Sequence, residues 1–235
     1  MRTLSRWQII QWGTHNKRLV DGTKHVFDYD LDTNSFPKVL YRGLLEFYAR
    51  ITIIIKDKND VIFHLSCLPP PPESCQVEFD VFQRTNVNVK SSEWTFRNRQ
   101  IFEIKKSVDS NEVILIDEAG KVHEGLSSNF FVIKGNTVFT APLDSVLVGS
   151  IQTCVINICR RKSIKLVFEH PLISDRENWD GAFITSTSRL ILPINNMLFD
   201  GKPFMIKTCE IKVYQELKEN LIFELLNTSL SLKNE

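Results

Sequence analysis

Neither sign of charge dominates this chain: across 235 residues, 29 Lys and Arg stand against 28 Asp and Glu. The balance leaves no basic excess to neutralise a phosphate backbone and no acidic tail for a cationic partner, so no nucleic acid is expected as a ligand. Long apolar runs are missing as well. The longest nearly aliphatic run, residues 51–55, is far below membrane-spanning length. Residues 1–12 offer only Ile9-Ile10 as an apolar centre, too short for the hydrophobic region of a secretory signal. The cysteines, at 67, 75, 154, 159 and 209, form no CxxC pair, and their odd number and wide spacing argue against a disulfide framework. No HxxxH or similar spacing occurs among the histidines, so no metal site is expected. Internal repeats are absent too. With these absences, a cytoplasmic globular protein is expected, with neither membrane nor nucleic acid as a partner.

What is present is enough apolar material, 43% of residues, to bury a substantial core. Residues 1–40 have weak periodicity, with turns expected at Asp21-Gly22 and at residues 32–35. A short helix is predicted over 39–48, then a hairpin of 49–55 and 61–65 across the polar turn 56–60. Pro69 to Pro72 must be extended, because each ring removes a donor and restrains the residue before it. Residues 76–89 read as a strand and 94–106 as a helix. Two successive hairpins follow, 113–116 with its turn at 117–120, then 130–133 and 138–140 across Gly135-Asn136. Beyond them come a helix over 149–161, a strand over 164–168, a helical turn over 175–179 and a strand over 182–194 with a polar interruption at 185–189. Val213, Leu217, Leu221 and Leu225 recur at i+4, the stripe of an amphipathic terminal helix. Strands mixed with helices without regular βαβ alternation predict an α+β fold.

The segment Glu124-Gly-Leu-Ser-Ser-Asn-Phe-Phe131, followed by Val138-Phe-Thr140-Ala-Pro-Leu and Val146-Leu-Val-Gly149-Ser-Ile151, resembles the signature of class IV enzymes dependent on pyridoxal 5'-phosphate (PLP). Two positions depart from it: Leu126 stands where the family usually has a small residue, and Gln152 where it has Arg or Lys. In aminodeoxychorismate-lyase-like and branched-chain members, the cofactor lysine lies about thirty-four residues before the glutamate. Counting back from Glu124 gives 124 − 90 = 34, which lands on Lys90. Lys90-Ser-Ser-Glu-Trp94, with Arg97 and Arg99, also resembles a divergent eukaryotic branch, and residues 182–194 resemble the family's last active-site strand. The resemblance is good over about 84–195 and poor before residue 49.

The resemblance implies a D-amino-acid-aminotransferase-like fold, with a short N-terminal α/β domain over 1–85 and a C-terminal, mixed-sheet, PLP-binding domain over 86–235. It implies that Lys90 carries the cofactor and acts as the catalytic amine, a task that needs a side chain able to lose its proton. Glu124 would hold the protonated ring nitrogen. Ser127, Ser128 and Asn129 would shape the ring pocket, though each side chain could equally satisfy turn backbone. For the phosphate, the amides of Ser150 and Ile151 after Gly149 open a helix and supply converging donors, and Thr187 adds a hydroxyl. Arg189 is a weaker candidate for a substrate carboxylate. The activity expected is aminotransfer on an amino acid or other small amine by a homodimer. Lyase chemistry of the aminodeoxychorismate type and a non-catalytic, incomplete homologue are the alternatives. The last is motivated by the N-terminus, where His15 with Arg18 is the nearest match to the helix that bears the family's phosphate arginine, yet the intervening Asn16-Lys17 and the following Leu19-Val20-Asp21-Gly22 turn lack the surrounding pattern.

Overall fold

The computed structural model describes residues 1–5, 8–43, 49–82, 84, 87, 89–105, 107 and 109–232. The chain is α+β and forms two compact units, Met1–Pro70 with Ile222–Glu235, and Pro71–Leu221.

In the first unit, β1 (Thr3–Ser5) and β2 (Gln8–Ile9) are antiparallel. They are followed by α1 (Trp12–Phe27), α2 (Phe36–Gly43), and the hairpin of β3 (Ala49–Ile55) with β4 (Val61–Cys67). The terminal strand Leu230–Ser231 pairs with β2. Ile9, Leu40, Ala49, Ile51 and Leu232 form its core. Helix α1 overturns the expected turn at Asp21-Gly22. Lys17 and Asp21 pair at i,i+4, and the Thr23 hydroxyl donates to the Leu19 carbonyl, so local helical contacts outweigh the turn propensity of Asp-Gly. The turn at 32–35 is present, with the Asn34 N–H donating to Asp32 Oδ1. Residues 44–48 of the predicted 39–48 helix lie outside the described residues.

The second unit is built on one sheet. Its elements are β5 (Cys75–Val81), α3 (Ser92–Lys105), β6 (Glu112–Ile116), β7 (Val122–Gly125), β8 (Asn129–Lys134), β9 (Thr137–Thr140), α4 (Ser150–Arg161), β10 (Lys165–Phe168), β11 (Gly181–Ser186), β12 (Leu190–Phe199), β13 (Lys202–Met205) and the part of α5 (Lys212–Asn227) up to Leu221. Pairing runs β8-β11-β12-β5-β6-β7 and returns to β8 through Glu124 opposite Asn129, so six strands close a ring. β9 and β10 extend outward from β8, and β13 pairs with β12. Alternate residues of the ring strands, among them Val77, Phe79, Ile114, Val122, Phe130, Val132, Ile184 and Leu192, make one buried cluster. The opposite face is buried too: Phe131 stacks on Phe183, with centroids 4.8 Å apart, and Phe183 meets Tyr214 of α5. The stripe Val213, Leu217, Leu221 and Leu225 is buried as its spacing requires.

Two predictions for this unit need correction. The expected strand over 76–89 ends at Val81, and residues 83, 85, 86 and 88 lie outside the described residues. The single strand over 182–194 is an antiparallel hairpin, β11 to β12, in which Thr187, Ser188 and Arg189 make the turn and Leu190 takes a φ of 59°. The polar interruption is therefore a reversal of the chain, with the Ser186 hydroxyl accepting the Arg189 N–H at 3.2 Å.

Candidate functional site

Glu124 sits on β7 where the ring closes, and it is 96% buried. Its Oε2 accepts the Leu147 N–H at 3.2 Å and its Oε1 faces Arg84 Nη1 at 3.4 Å. Burial pushes the carboxyl up to about 7, against the opposing pull of Arg84, the Leu147 amide and Lys90. Lys90 is thus near enough for its charge to be felt at Glu124. Its side chain is exposed, in the segment just before α3. Helix α3 opens with the Ser91 hydroxyl accepting the Trp94 N–H, an N-cap that fixes the chain at the residue immediately after Lys90. Arg84 is held in turn by the Val89 carbonyl at 2.9 Å and by the Trp94 ring, 5.2 Å below its guanidinium. The sequence reading missed Arg84, since a lone arginine in an irregular stretch carries no signal of its long-range partner.

Asn129 opens β8 opposite Glu124 and donates to the Leu147 carbonyl at 2.8 Å, so one loop residue is bound by both motif side chains. Gly149 follows that loop and caps α4. A Cβ there would come within 2.1 Å of Asn129 Oδ1, so the position demands glycine for space, not for its extended backbone angles. Ser150 and Ile151 open α4, both buried, and the Ser150 and Thr187 hydroxyls are hydrogen-bonded at 2.9 Å. The helix start and the β11–β12 turn therefore meet, as the predicted phosphate site requires. Gln152, in the first turn, is fully buried; its Oε1 accepts the Gly149 N–H at 3.1 Å, and its Nε2 has no partner. Thr185, paired with Asn129 across β8 and β11, likewise has a buried, unpartnered hydroxyl.

Ser127 and Ser128 do not line up with Glu124: both donate to Glu112 Oε2, at 2.7 and 3.0 Å. Arg189 donates to the same oxygen. The Arg97 side chain lies outside the described residues. In the first unit, His15 and Arg18 share one face of α1, Arg18 Nη2 lying 3.2 Å from His15 Nδ1. Residues 19–22, expected as a turn after this pair, continue the same helix. Among the described residues no group of His, Cys, Asp or Glu could hold a metal ion, and no helix is long and apolar enough to cross a membrane.

A family model described as amino-transferase class IV matches residues 3–197, so the likeness extends through the N-terminal segment, where it was expected to be poor. The chain is 29% identical over 205 residues to a probable branched-chain-amino-acid aminotransferase of Thermotoga maritima, covering 81% of this chain and 74% of that one. It is 33% identical over 94 residues to the D-alanine aminotransferase of Bacillus licheniformis, covering 39% of this chain and 31% of the relative. A putative branched-chain-amino-acid aminotransferase of Methanocaldococcus jannaschii is matched over 41% of its own length and a probable one of Rickettsia typhi over 37%. The crystal structure of a putative branched-chain amino acid aminotransferase from Thermotoga maritima superposes with a TM-score of 0.79 at 25% identity, covering 96% of this chain and 84% of that one.

Proposed function

The chain belongs to the amino-transferase class IV family, and from that premise we propose that it binds PLP through Lys90 and transfers an amino group to or from an amino acid or other small amine. The observation that carries this reading is Glu124: a buried carboxyl, fixed by a backbone amide and an arginine, within electrostatic reach of an exposed lysine. The unpartnered Gln152 Nε2 and Thr185 Oγ1 support it, since buried donors normally find acceptors and a ring-and-phosphate ligand is rich in them. The residues present fit the group. Glu124 and Asn129 would hold the ring, Ser128 would brace their turn, and Gly149, Ser150, Ile151 and Thr187 would receive the phosphate. PLP, when bound, supplies an aldehyde that links to amines and a ring that draws electrons from the bond being broken.

This chain's own part in the reaction is proton placement. Glu124 would keep a proton at the ring nitrogen, and Arg84, 3.4 Å from its Oε1, would hold the carboxyl in place for that role. Lys90 Nζ, once neutral, would be the group that accepts the proton from the substrate α-carbon. The substrate class comes from the relatives, whose names speak of branched-chain amino acids and D-alanine. Residence in the cytoplasm is supported by five free thiols, and a homodimer by the assembly that the resemblance implies. Borohydride reduction of the PLP-loaded protein, followed by peptide mapping, is expected to leave the pyridoxyl group on Lys90. A label on any other lysine refutes the assignment.

A further inference from the structure

Two charged side chains lie between the halves of this site without belonging to either. Glu112, the first residue of β6, is 95% buried, and a single oxygen of it, Oε2, accepts hydrogen bonds from Ser127, Ser128 and Arg189. Arg189 Nη2 also donates to Ser127 Oγ at 2.8 Å, while its Nε donates to Ser186 Oγ at 3.3 Å. One carboxylate oxygen thereby ties the β7–β8 turn to the β11–β12 turn. The fit is close: a Cβ on Gly125 would lie 2.3 Å from Ser128 Oγ and 3.1 Å from Glu112 Cγ.

Each tied turn carries one half of the cofactor site. Glu124 and Asn129 flank the first, and Thr187, bonded to Ser150, lies in the second. The backbone ladder between β8 and β11 stops at Asn129 opposite Thr185. Beyond that rung, the side chains of Glu112, Ser127 and Arg189 connect the two turns. Buried ion pairs contribute little net stability, because desolvation offsets attraction, but they fix geometry, and removing one partner strands a charge. Arg189 is poorly placed to hold a substrate carboxylate as well, because the incoming anion would meet Glu112 at the same guanidinium.

We propose that the Glu112–Arg189 pair is a positioning device that sets the spacing between the ring-binding and phosphate-binding halves of the cofactor site. The proposal rests on the PLP reading above and makes a demand of its own. A ligand that engages both halves must feel the clamp, whereas a ligand that engages only the ring half must not.

The test titrates apoprotein with PLP and with pyridoxal, which lacks the phosphate, following binding by absorbance. The double variant Glu112→Leu/Arg189→Met removes the clamp without stranding a charge. It is expected to weaken PLP by about tenfold or more, the scale of one charge-assisted hydrogen bond, and to leave pyridoxal affinity unchanged. Arg189→Lys keeps the charge but cannot reach Glu112 and Ser186 together. It is expected to give the same selective loss, and it serves if the double variant does not fold. Equal losses for both ligands, or unchanged PLP affinity, would overturn the positioning role while leaving the cofactor reading intact. A wild-type protein that binds neither ligand would overturn the cofactor reading itself, and the clamp with it.

Discussion

At the scale of single residues, Glu124 carries the sharpest consequence. Its carboxyl is pushed up to about 7 in the folded protein, from 4.5, chiefly by burial. Because the folded value is the higher one, the unfolded chain releases this proton first. The contribution to stability is complete below about pH 4.5 and is lost as pH rises through 7, by on the order of 3 kcal/mol. Glu124→Gln removes the titration. Urea unfolding of apoprotein at pH 5 and pH 8 is expected to show a smaller pH dependence in this variant than in wild type, with no loss of stability at pH 8. Turnover of the PLP-loaded variant is expected to fall by about a hundredfold or more, the usual scale for losing a preorganised charge contact. A variant with full turnover would return Glu124 to a structural role at the ring closure. The nearness of Glu124, Asn129, Gly149 and Ser150 to one another is legible in the sequence, because they belong to one motif of fixed spacing. The contacts of Glu112 and Arg84 are not: their partners lie 77 and 40 residues away, and nothing in a lone charged residue announces such a distance.

At the scale of elements, local signals were read well and tertiary overrides were not. The hairpins at 113–140 and α4 followed from turn residues and periodicity, with Asp117 accepting the Ala119 and Lys121 N–H groups and Gly120 at a φ of 75°. Helix α1 and the β11–β12 reversal went unread because Asp-Gly marks turns more often than helices, and because polar Thr187-Ser-Arg189 sits in an otherwise continuous apolar run. The start of α4 yields a prediction at this scale. Ala at 149 would drive a methyl against Asn129 Oδ1, at 2.1 Å in the present geometry, so Asn129 must move and release the Leu147 carbonyl. Gly149→Ala is expected to cost about 1–3 kcal/mol, the range for a buried hydrogen bond left unmade. Asn129→Ala alone should cost a similar amount, and the double variant much less than the sum, since both changes break one contact. Thermal unfolding of the four proteins measures the coupling, and additive losses would exclude it.

At the scale of the whole chain, one unit is continuous in sequence and the other is assembled from both ends. Residues 222–235 belong with residues 1–70, a juxtaposition that periodicity has no means of reporting, because it depends on strand pairing more than 200 residues apart. The return of the chain completes the first unit physically: Leu230 and Ser231 pair with Ile9 and Gln8 as the third strand of their sheet, and Leu232 enters the same core as Leu40 and Ile51 with no exposed surface. Thr228 is already tied by the side chain of Gln11. A chain ending at Thr228 therefore keeps α5 but loses a strand and a core leucine. Loss of a buried leucine side chain alone costs about 2–5 kcal/mol, a large share of what holds a small unit together. The damage should be local, since the six-strand ring of residues 71–221 closes through its own pairings and its own apolar cluster. Hydrogen exchange followed by mass spectrometry is expected to show faster exchange in β2 and β3 of the shortened chain, and unchanged protection in β8 and β11. Uniform loss of protection across both units would mean that they unfold as one cooperative body, and unchanged protection in β2 would mean that the terminal strand adds nothing to the sheet it joins.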